Sequence, residues 1–163
     1  MKKAQKQGLH IEETVDFSAF WNEILLPNLA KRHAAKPTHT LEEIIVLKSK
    51  FPENIRQFNV YKEDQIVAGA TIFETDTVAH VQYISANEQK QELGALDFLF
   101  EELITRTFSG KWYFDFGISN EQQGTKLNKG LSYWKECFGA RTYVHRFYEI
   151  HTENHHLLND VFL

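Results

Sequence analysis

Three strand-like segments follow one another between residues 56 and 86, and this run constrains the fold more than any other feature of the chain. The segments are Arg56–Glu63, Gln65–Glu74 and Thr77–Ala86, which are rich in the β-branched and aromatic residues that strands favour. The polar connections between them are too short to hold a crossover helix. The sequence therefore predicts an antiparallel three-stranded meander.

A strand and two helices are predicted before the meander. Gly8–Thr14 alternates apolar with polar residues, as a half-buried strand does. Apolar residues at near-helical spacing then predict a helix that extends to His33, with a bend at Pro27 because proline cannot donate the helical hydrogen bond. A capping-box pattern at Thr40–Glu43 starts a second helix, which Pro52 ends.

The hydrophobic period changes after the meander. The patterns predict a helix at Gln91–Thr107, a strand at Lys111–Phe116, a helix at Thr125–Cys137 and a final strand at Arg141–Ile150. The resulting order is β-α-α-β-β-β-α-β-α-β. We therefore expect an α+β (α/β) fold, in which helices flank a mixed, mostly antiparallel central sheet.

Length, composition and charge narrow the class of protein. A chain of 163 residues fits a single domain covering 1–163, and 151–163, which has no clear period, is expected to be a flexible tail. Hydrophobic residues make up 42% and charged residues 25%, as in ordinary folded proteins. The net charge of −4 weighs against extensive contact with nucleic acid.

The sequence favours a cytoplasmic location. Cys137 is the single cysteine, so an intrachain disulfide framework is excluded. The first seven residues lack the apolar core of a secretory signal, and no apolar run approaches the roughly 20 residues that span a bilayer. We expect no membrane partner, and nothing in the sequence indicates the oligomeric state.

The order of elements resembles the GNAT superfamily over nearly the whole chain. That resemblance implies acyl-CoA, such as acetyl-CoA, lying along the fourth strand, with its pyrophosphate at the start of the next helix. A helix start offers N–H groups and a positive dipole end, which stabilise phosphate. The family pattern is Gln or Arg, two residues, Gly, one residue, then Gly or Ala. The chain matches at Gln91 and Gly94, has Leu96 where the small residue belongs, and places Glu92 unfavourably. The alternative is an ordinary helix turn with a packing glycine. The resemblance implies these cofactor-binding residues: Tyr83, Ile84, Ser85, Gln91, Leu93, Gly94 and Ala95.

Several side chains are candidates for acid–base chemistry. Strand alternation places His80 and Gln82 on one face, with Val78 and Ile84, so this pair either points into a cleft or forms a hydrogen-bonded structural pair. Acyl transfer needs a base for the amine and an acid for the leaving thiolate. The candidate bases and acids are, in that order, His80, Asp115 and Glu121, then Tyr133 and Tyr148. Each has a structural alternative: a loop cap, a solvated carboxylate or a core tyrosine.

The stretch from Phe114 to Tyr148 resembles the last part of Fem-type transferases and related GNAT proteins of bacterial envelope and polysaccharide pathways. It runs through Phe-Asp-Phe-Gly, Gly-Leu, a lysine and Phe-Gly to a Tyr-bearing strand. Lys135 falls on the family's lysine, which implies a role in binding or charge stabilisation. Fem-type proteins carry two such domains, so this chain is expected to be the C-terminal one, beside an N-terminal companion domain that holds part of the acceptor site. The substrate-binding candidates are Gln82, Ser119, Asn120 and Glu121.

Three functions remain open at this point. The first is transfer of an acyl group from acyl-CoA to a small-molecule amine, such as an amino sugar or envelope precursor. The second is a Fem-like aminoacyl transferase that uses charged tRNA, and the third is a non-catalytic scaffold domain. Thiol catalysis by Cys137 beside His145 is disfavoured, because a lone Cys next to Phe138 is typical of packing. No metal is predicted, because the histidines of the tail lack ligands at a firm spacing.

Overall fold

The computed structural model of the chain describes residues 7–33, 36–88, 90–146 and 148–158. These residues form two compact units, one that ends at Asn128 and one that begins at Lys129. None of the described helices combines the length and the apolar character that crossing a membrane requires.

The first unit is built on a five-stranded sheet in the order β1-β2-β3-β4-β5. The strands are β1 (Leu9–Thr14), β2 (Ile55–Lys62), β3 (Gln65–Glu74), β4 (Val78–Ala86) and β5 (Tyr113–Asp115). Neighbouring strands are antiparallel except for β4 and β5, which run parallel. The predicted meander and the mixed, mostly antiparallel α+β class are confirmed.

Two helical segments cover one face of this sheet. A π-helical segment, Phe20–Leu25, continues into α1 (Leu26–His33), and α2 (Leu41–Lys50) starts at the predicted capping box. The π and α windings meet beside Pro27, which lacks an N–H to donate. The predicted helices are confirmed, and they bury the following core cluster against the sheet: Phe17, Phe20, Trp21, Ile24, Leu25, Ile44, Ile55, Ile66 and Tyr83.

The predicted uninterrupted helix Gln91–Thr107 is wrong at Gly94. The structure has a short α3 (Lys90–Leu93), then α4 (Ala95–Glu102), which continues as a π-helical segment (Leu103–Thr107). Gly94 adopts φ of 63° between the two helices, a left-handed conformation that glycine accepts without a steric penalty. The predicted apolar stripe is nevertheless buried, at Leu93, Leu99, Phe100 and Leu103.

A β-bulge interrupts the alternation of β4. Thr71 of β3 faces Tyr83, and the next residue, Ile72, faces Val81, so Gln82 is an extra residue in the ladder. Because Thr71 and Ile72 point to opposite faces, their partners do too. The predicted alternation is therefore wrong beyond Val81.

The bulge changes which side chains of β4 share a face. His80, paired with Phe73, lies on the same face as Tyr83 and Ser85, which is the face covered by α1. Ile84, which the alternation rule groups with His80, lies on the opposite face. A local pattern of period two cannot reveal such an inserted residue.

Two predictions for the later part of the chain are wrong. Part of the predicted helix Thr125–Cys137 belongs to a hairpin, β6 (Asn120–Glu121) and β7 (Lys126–Leu127), so α5 covers only Lys129–Glu136. The hairpin forms because residues 122–124 all adopt positive φ and reverse the chain.

The predicted strand Arg141–Ile150 is not formed in 141–146 or 148–150. Its apolar residues Tyr143, Val144 and Tyr148 are exposed, and a strand needs a ladder partner to satisfy its main chain. In the predicted tail, Thr152–Leu158 forms a 3₁₀ helix, and residues 159–163 lie outside the described part.

Candidate active site

The short strand β5 pairs only with the N-terminal end of β4. Val78, Ala79 and His80 face Tyr113, Phe114 and Asp115, and the ladder then stops although β4 continues to Ala86. Among the described residues, no strand pairs with the edge of β4 that faces away from β3 beyond His80. This edge offers main-chain N–H and C=O groups to an extended ligand.

His80 and Asp115 meet at the point where the two strands part. The ring Nδ1 of His80 lies 2.7 Å from Oδ2 of Asp115, and the main-chain N–H of Gly117 donates to Oδ1 at 2.8 Å. An ionised carboxylate only accepts hydrogen bonds, so Nδ1 carries the proton and Nε2 of a neutral ring keeps its lone pair. The side chains are 36% and 51% exposed, so His80 can take a proton from a substrate.

Aromatic packing and a glycine turn hold Asp115 in this place. Phe114 and Phe116, on either side of it, pack against Phe100 of α4 at ring-centroid distances of 5.9 and 5.3 Å. Gly117 follows with φ of 70°, and a Cβ there would lie 3.8 Å from the His80 ring. The left-handed turn directs the main-chain N–H of Gly117 toward the Asp115 carboxylate, to which it donates.

Tyr83 and Ser85 are predicted to bind the cofactor through their main chains, and their side chains form hydrogen bonds within the fold. The Tyr83 hydroxyl lies 2.7 Å from Nδ1 of His39 and accepts from the main-chain N–H of His39 at 3.0 Å. Ser85 Oγ accepts from Nδ2 of Asn28 at 2.8 Å. Because both side chains are buried, the groups that remain candidates for contact with the cofactor are the main chains of these two residues and Ile84.

Sequence reasoning missed His39. It precedes the capping box in an irregular segment, and its partner Tyr83 lies 44 positions away. No local pattern signals such a contact, because it depends on how α2 packs on the sheet.

The helix start around Gly94 fits a phosphate only in part. Leu93 and Ala95 are buried, and nothing lies within 4 Å of a Cβ added at Gly94, so the turn is open. Because Ala95, the first residue of α4, is fully buried, the exposed main chain at this turn is that of Gly94. Glu92 and Asp97, however, place two carboxylates at this end of the helices, which opposes an anion. The side chain of Gln91 lies outside the described part of the structure.

The other predicted substrate-binding residues lie at the bulge and in the hairpin. Gln82 is half-buried at the bulge. Asn120 Nδ2 donates to Gly124 O at 2.9 Å, which spans the turn. Asn128 donates through its main-chain N–H to Ser119 O at 2.9 Å and through Nδ2 to Glu121 Oε1 at 2.8 Å. These contacts close the hairpin, and the predicted contact with substrate stays a prediction.

The remaining candidates belong to the second unit. Lys135 on α5 is only 7% exposed, whereas Tyr133 and Tyr148 are well exposed. Their predicted roles in charge stabilisation and proton donation stay predictions. Cys137 is exposed. Within 7–33, 36–88, 90–146 and 148–158, no group of three metal-ligating side chains is found.

No protein-family model matches the chain, and no curated protein matches it. Solved structures do. An aminoglycoside acetyltransferase from an uncultured soil metagenomic sample, in complex with sisomicin, is 16% identical with a TM-score of 0.62, over 90% of this chain and 99% of that one. A GNAT family acetyltransferase from Elizabethkingia anophelis with acetyl-CoA bound is 14% identical with a TM-score of 0.54, over 84% of this chain and 78% of that one.

A third solved structure is part of a longer protein. It is the C-terminal domain of a protein from Agrobacterium fabrum assigned as a lysylphosphatidylglycerol synthetase, with 14% identity and a TM-score of 0.61, over 86% of this chain and 48% of that one. Identities this low establish the fold and not the activity. The fold of this chain is the one that GNAT-family acetyltransferases share.

Proposed function

We propose that this chain is an N-acyltransferase that moves an acyl group from acyl-CoA to an amine. The observation that carries the proposal is the His80–Asp115 pair, held where β4 and β5 part. A carboxylate-oriented imidazole beside an open strand edge supplies a base next to main-chain donors. Amide formation from a thioester requires both.

In the reaction, the amine nitrogen attacks the thioester carbonyl carbon and forms a C–N bond. His80 Nε2 takes a proton from that nitrogen, while Asp115 keeps the ring oriented and stabilises its positive charge. Main-chain N–H groups of β4 near the Gln82 bulge stabilise the oxyanion. The C–S bond then breaks and the departing thiolate takes up a proton. General base catalysis of this kind contributes about 10²–10⁴-fold in rate.

The β4 main chain from Tyr83 to Ser85 is the proposed contact for the pantetheine arm, and the turn at Leu93–Ala95 the contact for the pyrophosphate. Support comes from the open edge of β4 and from the acetyl-CoA bound by the Elizabethkingia neighbour. The same proposal includes an amino sugar or envelope precursor as the acceptor and a cytoplasmic location. It also includes a relation to Fem-type transferases and an N-terminal companion domain.

Calorimetry with acetyl-CoA, followed by an assay of CoA release with a panel of primary amines, tests this function. The wild-type chain should bind acetyl-CoA and release CoA in proportion to the amine added. His80→Gln should bind acetyl-CoA with unchanged affinity and lose about 10²–10⁴-fold in kcat. Absence of acetyl-CoA binding by the wild type would sink the proposal.

A non-catalytic scaffold is the second candidate, and the carboxylates of Glu92 and Asp97 at the phosphate end favour it. In that case Glu92→Gln changes nothing that acetyl-CoA titration can detect. If the turn does bind pyrophosphate, removing this charge should tighten acetyl-CoA binding about two- to fivefold, the range expected for one charge at a helix start.

A further inference from the structure

A pocket of about 320 Å³ lies between the first helical segment and the start of α2, apart from the residues placed at the β4–β5 opening. Six of the residues that line it carry the argument: Trp21, Asn22, Leu26, Lys36, His39 and Glu42. Small-molecule pockets range from about 300 to 1,000 Å³, so this one has room for a single sugar ring and not for an oligosaccharide.

The polar groups of the pocket are available to a ligand. Asn22, Lys36 and Glu42 are exposed, and none of their side chains has a hydrogen bond or ion pair with another described residue. Trp21 also lines the pocket, and its buried Nε1 has no acceptor in the described part of the chain. An amide, an ammonium and a carboxylate around an apolar wall that includes Leu26 suit a small molecule with hydroxyls and an amine.

His39 links this pocket to the candidate active site. Its ring is fixed by the Tyr83 hydroxyl at 2.7 Å from Nδ1, which leaves Nε2 to contact a ligand. The ring also lies 6.3 Å from that of Phe73, the cross-strand partner of His80. The pocket and His80 are therefore on the same side of the sheet, and His39 is the pocket residue that contacts Phe73 and Tyr83.

Building on the proposed acyltransferase activity, we propose that this pocket binds the acceptor and that the acceptor is an amino monosaccharide. Glu42 and Asn22 contact its polar groups. His39 is a positioning residue for the acceptor, oriented by Tyr83. The acceptor contacts predicted from the sequence, Gln82 and Ser119–Glu121, do not line this pocket.

The test uses acetyl-CoA with D-glucosamine and D-galactosamine as probes and measures CoA release. Glu42→Gln removes a charged hydrogen-bond acceptor, so KM for the amino sugar should rise about 10- to 100-fold with kcat nearly unchanged. Leu26→Trp fills the pocket and should abolish transfer, while calorimetry shows acetyl-CoA binding as in the wild type. Glu23→Gln, an exposed residue of the same segment that does not line the pocket, is the matched control and should behave as the wild type.

A separate pair of variants tests the role given to His39. His39→Gln should raise KM for the amino sugar without lowering kcat, and Tyr83→Phe, which frees the ring, should raise KM in the same direction. A purely structural role would instead lower the melting temperature and leave KM unchanged.

The outcomes separate this inference from the function that it rests on. If the wild type does not bind acetyl-CoA, the acyltransferase proposal fails, and the acceptor site with it. If acetyl-CoA binds and neither sugar is acetylated, the amino monosaccharide is overturned as the acceptor while the donor site stands. If a sugar is acetylated but Glu42→Gln and Leu26→Trp match the wild type, the acceptor lies elsewhere.

Discussion

At the scale of single residues, the chemistry depends on how Asp115 holds the His80 ring. Asp115→Asn keeps the size of the side chain but offers an amide in place of a carboxylate, so Nδ1 no longer has a charged acceptor at 2.7 Å. We expect kcat to fall by about 10²-fold or more with little change in acetyl-CoA affinity. Steady-state kinetics and calorimetry measure the two effects separately.

The matched control for Asp115 is Asp64→Asn, an exposed carboxylate in the turn between β2 and β3. It should leave kcat unchanged. The double variant His80→Gln, Asp115→Asn should be no slower than His80→Gln alone, because the two residues act as one unit. Additive losses would contradict the assignment of Asp115 as the group that orients His80.

A second residue-scale prediction concerns Gly69, where the sheet meets the first helix. A Cβ at Gly69 would lie 2.6 Å from Phe20 Cδ2 and 3.0 Å from the main-chain oxygen of Phe58. Gly69→Ala should therefore reduce the free energy of unfolding by about 1–3 kcal/mol, the cost of overpacking a well-filled core. Denaturant unfolding measures this cost.

The control for Gly69 is Gly110→Ala, since nothing lies within 4 Å of a Cβ at Gly110. Its free energy of unfolding should stay within about 0.5 kcal/mol of the wild type. Equal effects of the two substitutions would show that the contact with Phe20 does not limit the packing.

Sequence reasoning identified His80 and Asp115 separately but not as a pair. The residues are 35 positions apart, with α3 and α4 between them, and their contact depends on the register of a parallel ladder. Strand patterns predict which residues are in strands, whereas the register of a crossover connection is set by tertiary packing. The contact between His39 and Tyr83 escaped for the same reason.

At the scale of elements, an ion-pair network joins strands that are distant in the sequence. Arg56 on β2 binds both carboxylate oxygens of Glu13 on β1 at 2.7 Å, and it also contacts Glu74 at the end of β3. Lys111, just before β5, lies 2.8 Å from Glu74. The network thus links four segments at one end of the sheet, and Glu74 is its shared acceptor.

The network makes stability depend on pH. Burial raises the pKa of Glu74, but hydrogen bonds from Lys111 and Arg56 outweigh it, so the pKa lies below the ordinary value of 4.5. The folded state then binds fewer protons than the unfolded state in this range. The stabilisation is present above about pH 4.5 and is lost as the pH falls through the lowered pKa of Glu74.

We therefore expect Glu74→Gln to flatten the acid side of the stability profile. The free energy of unfolding of the wild type should fall more steeply than that of the variant between about pH 5 and pH 3. Denaturant titrations across this range provide the measurement. The control is Glu12→Gln, because Glu12 is an exposed residue of β1 with no ion pair among the described residues; this variant should keep the wild-type slope. If the profiles of Glu74→Gln and the wild type are parallel, the expectation is refuted.

Elements were predictable where the pattern was long and regular. The meander and the capping-box helix are present as the sequence indicates. Three features were not predictable: the helix break at Gly94, the bulge at Gln82 and the hairpin β6–β7. Each depends on one or a few residues in an unusual backbone conformation or register. Two of these three features shape the candidate site. Functional sites commonly depart from regular sequence patterns, because the geometry that the chemistry needs differs from that of regular helices and strands.

At the scale of the whole molecule, charge separates the two enzyme classes that the sequence left open. The net charge is −4, and two exposed lysines have carboxylate partners. Lys31 pairs with Glu88, and Lys126 lies 3.6 Å from Glu121. Binding of a polyanion such as tRNA depends on cations that can replace its counterions, so paired lysines on an acidic protein contribute little.

We therefore expect the chain to bind acetyl-CoA but not charged tRNA at about 150 mM monovalent salt, where screening extends over about 8 Å. Parallel titrations with acetyl-CoA, charged tRNA and uncharged tRNA at several salt concentrations make the comparison. Lys126→Gln is the control, and it should alter none of the three affinities. A different result would identify aminoacyl-tRNA as the donor in place of acyl-CoA: charged tRNA binds, its binding weakens steeply with salt and is reduced in Lys126→Gln, and uncharged tRNA does not bind. Such a result is compatible with the fold, because a GNAT fold by itself does not fix which donor is used.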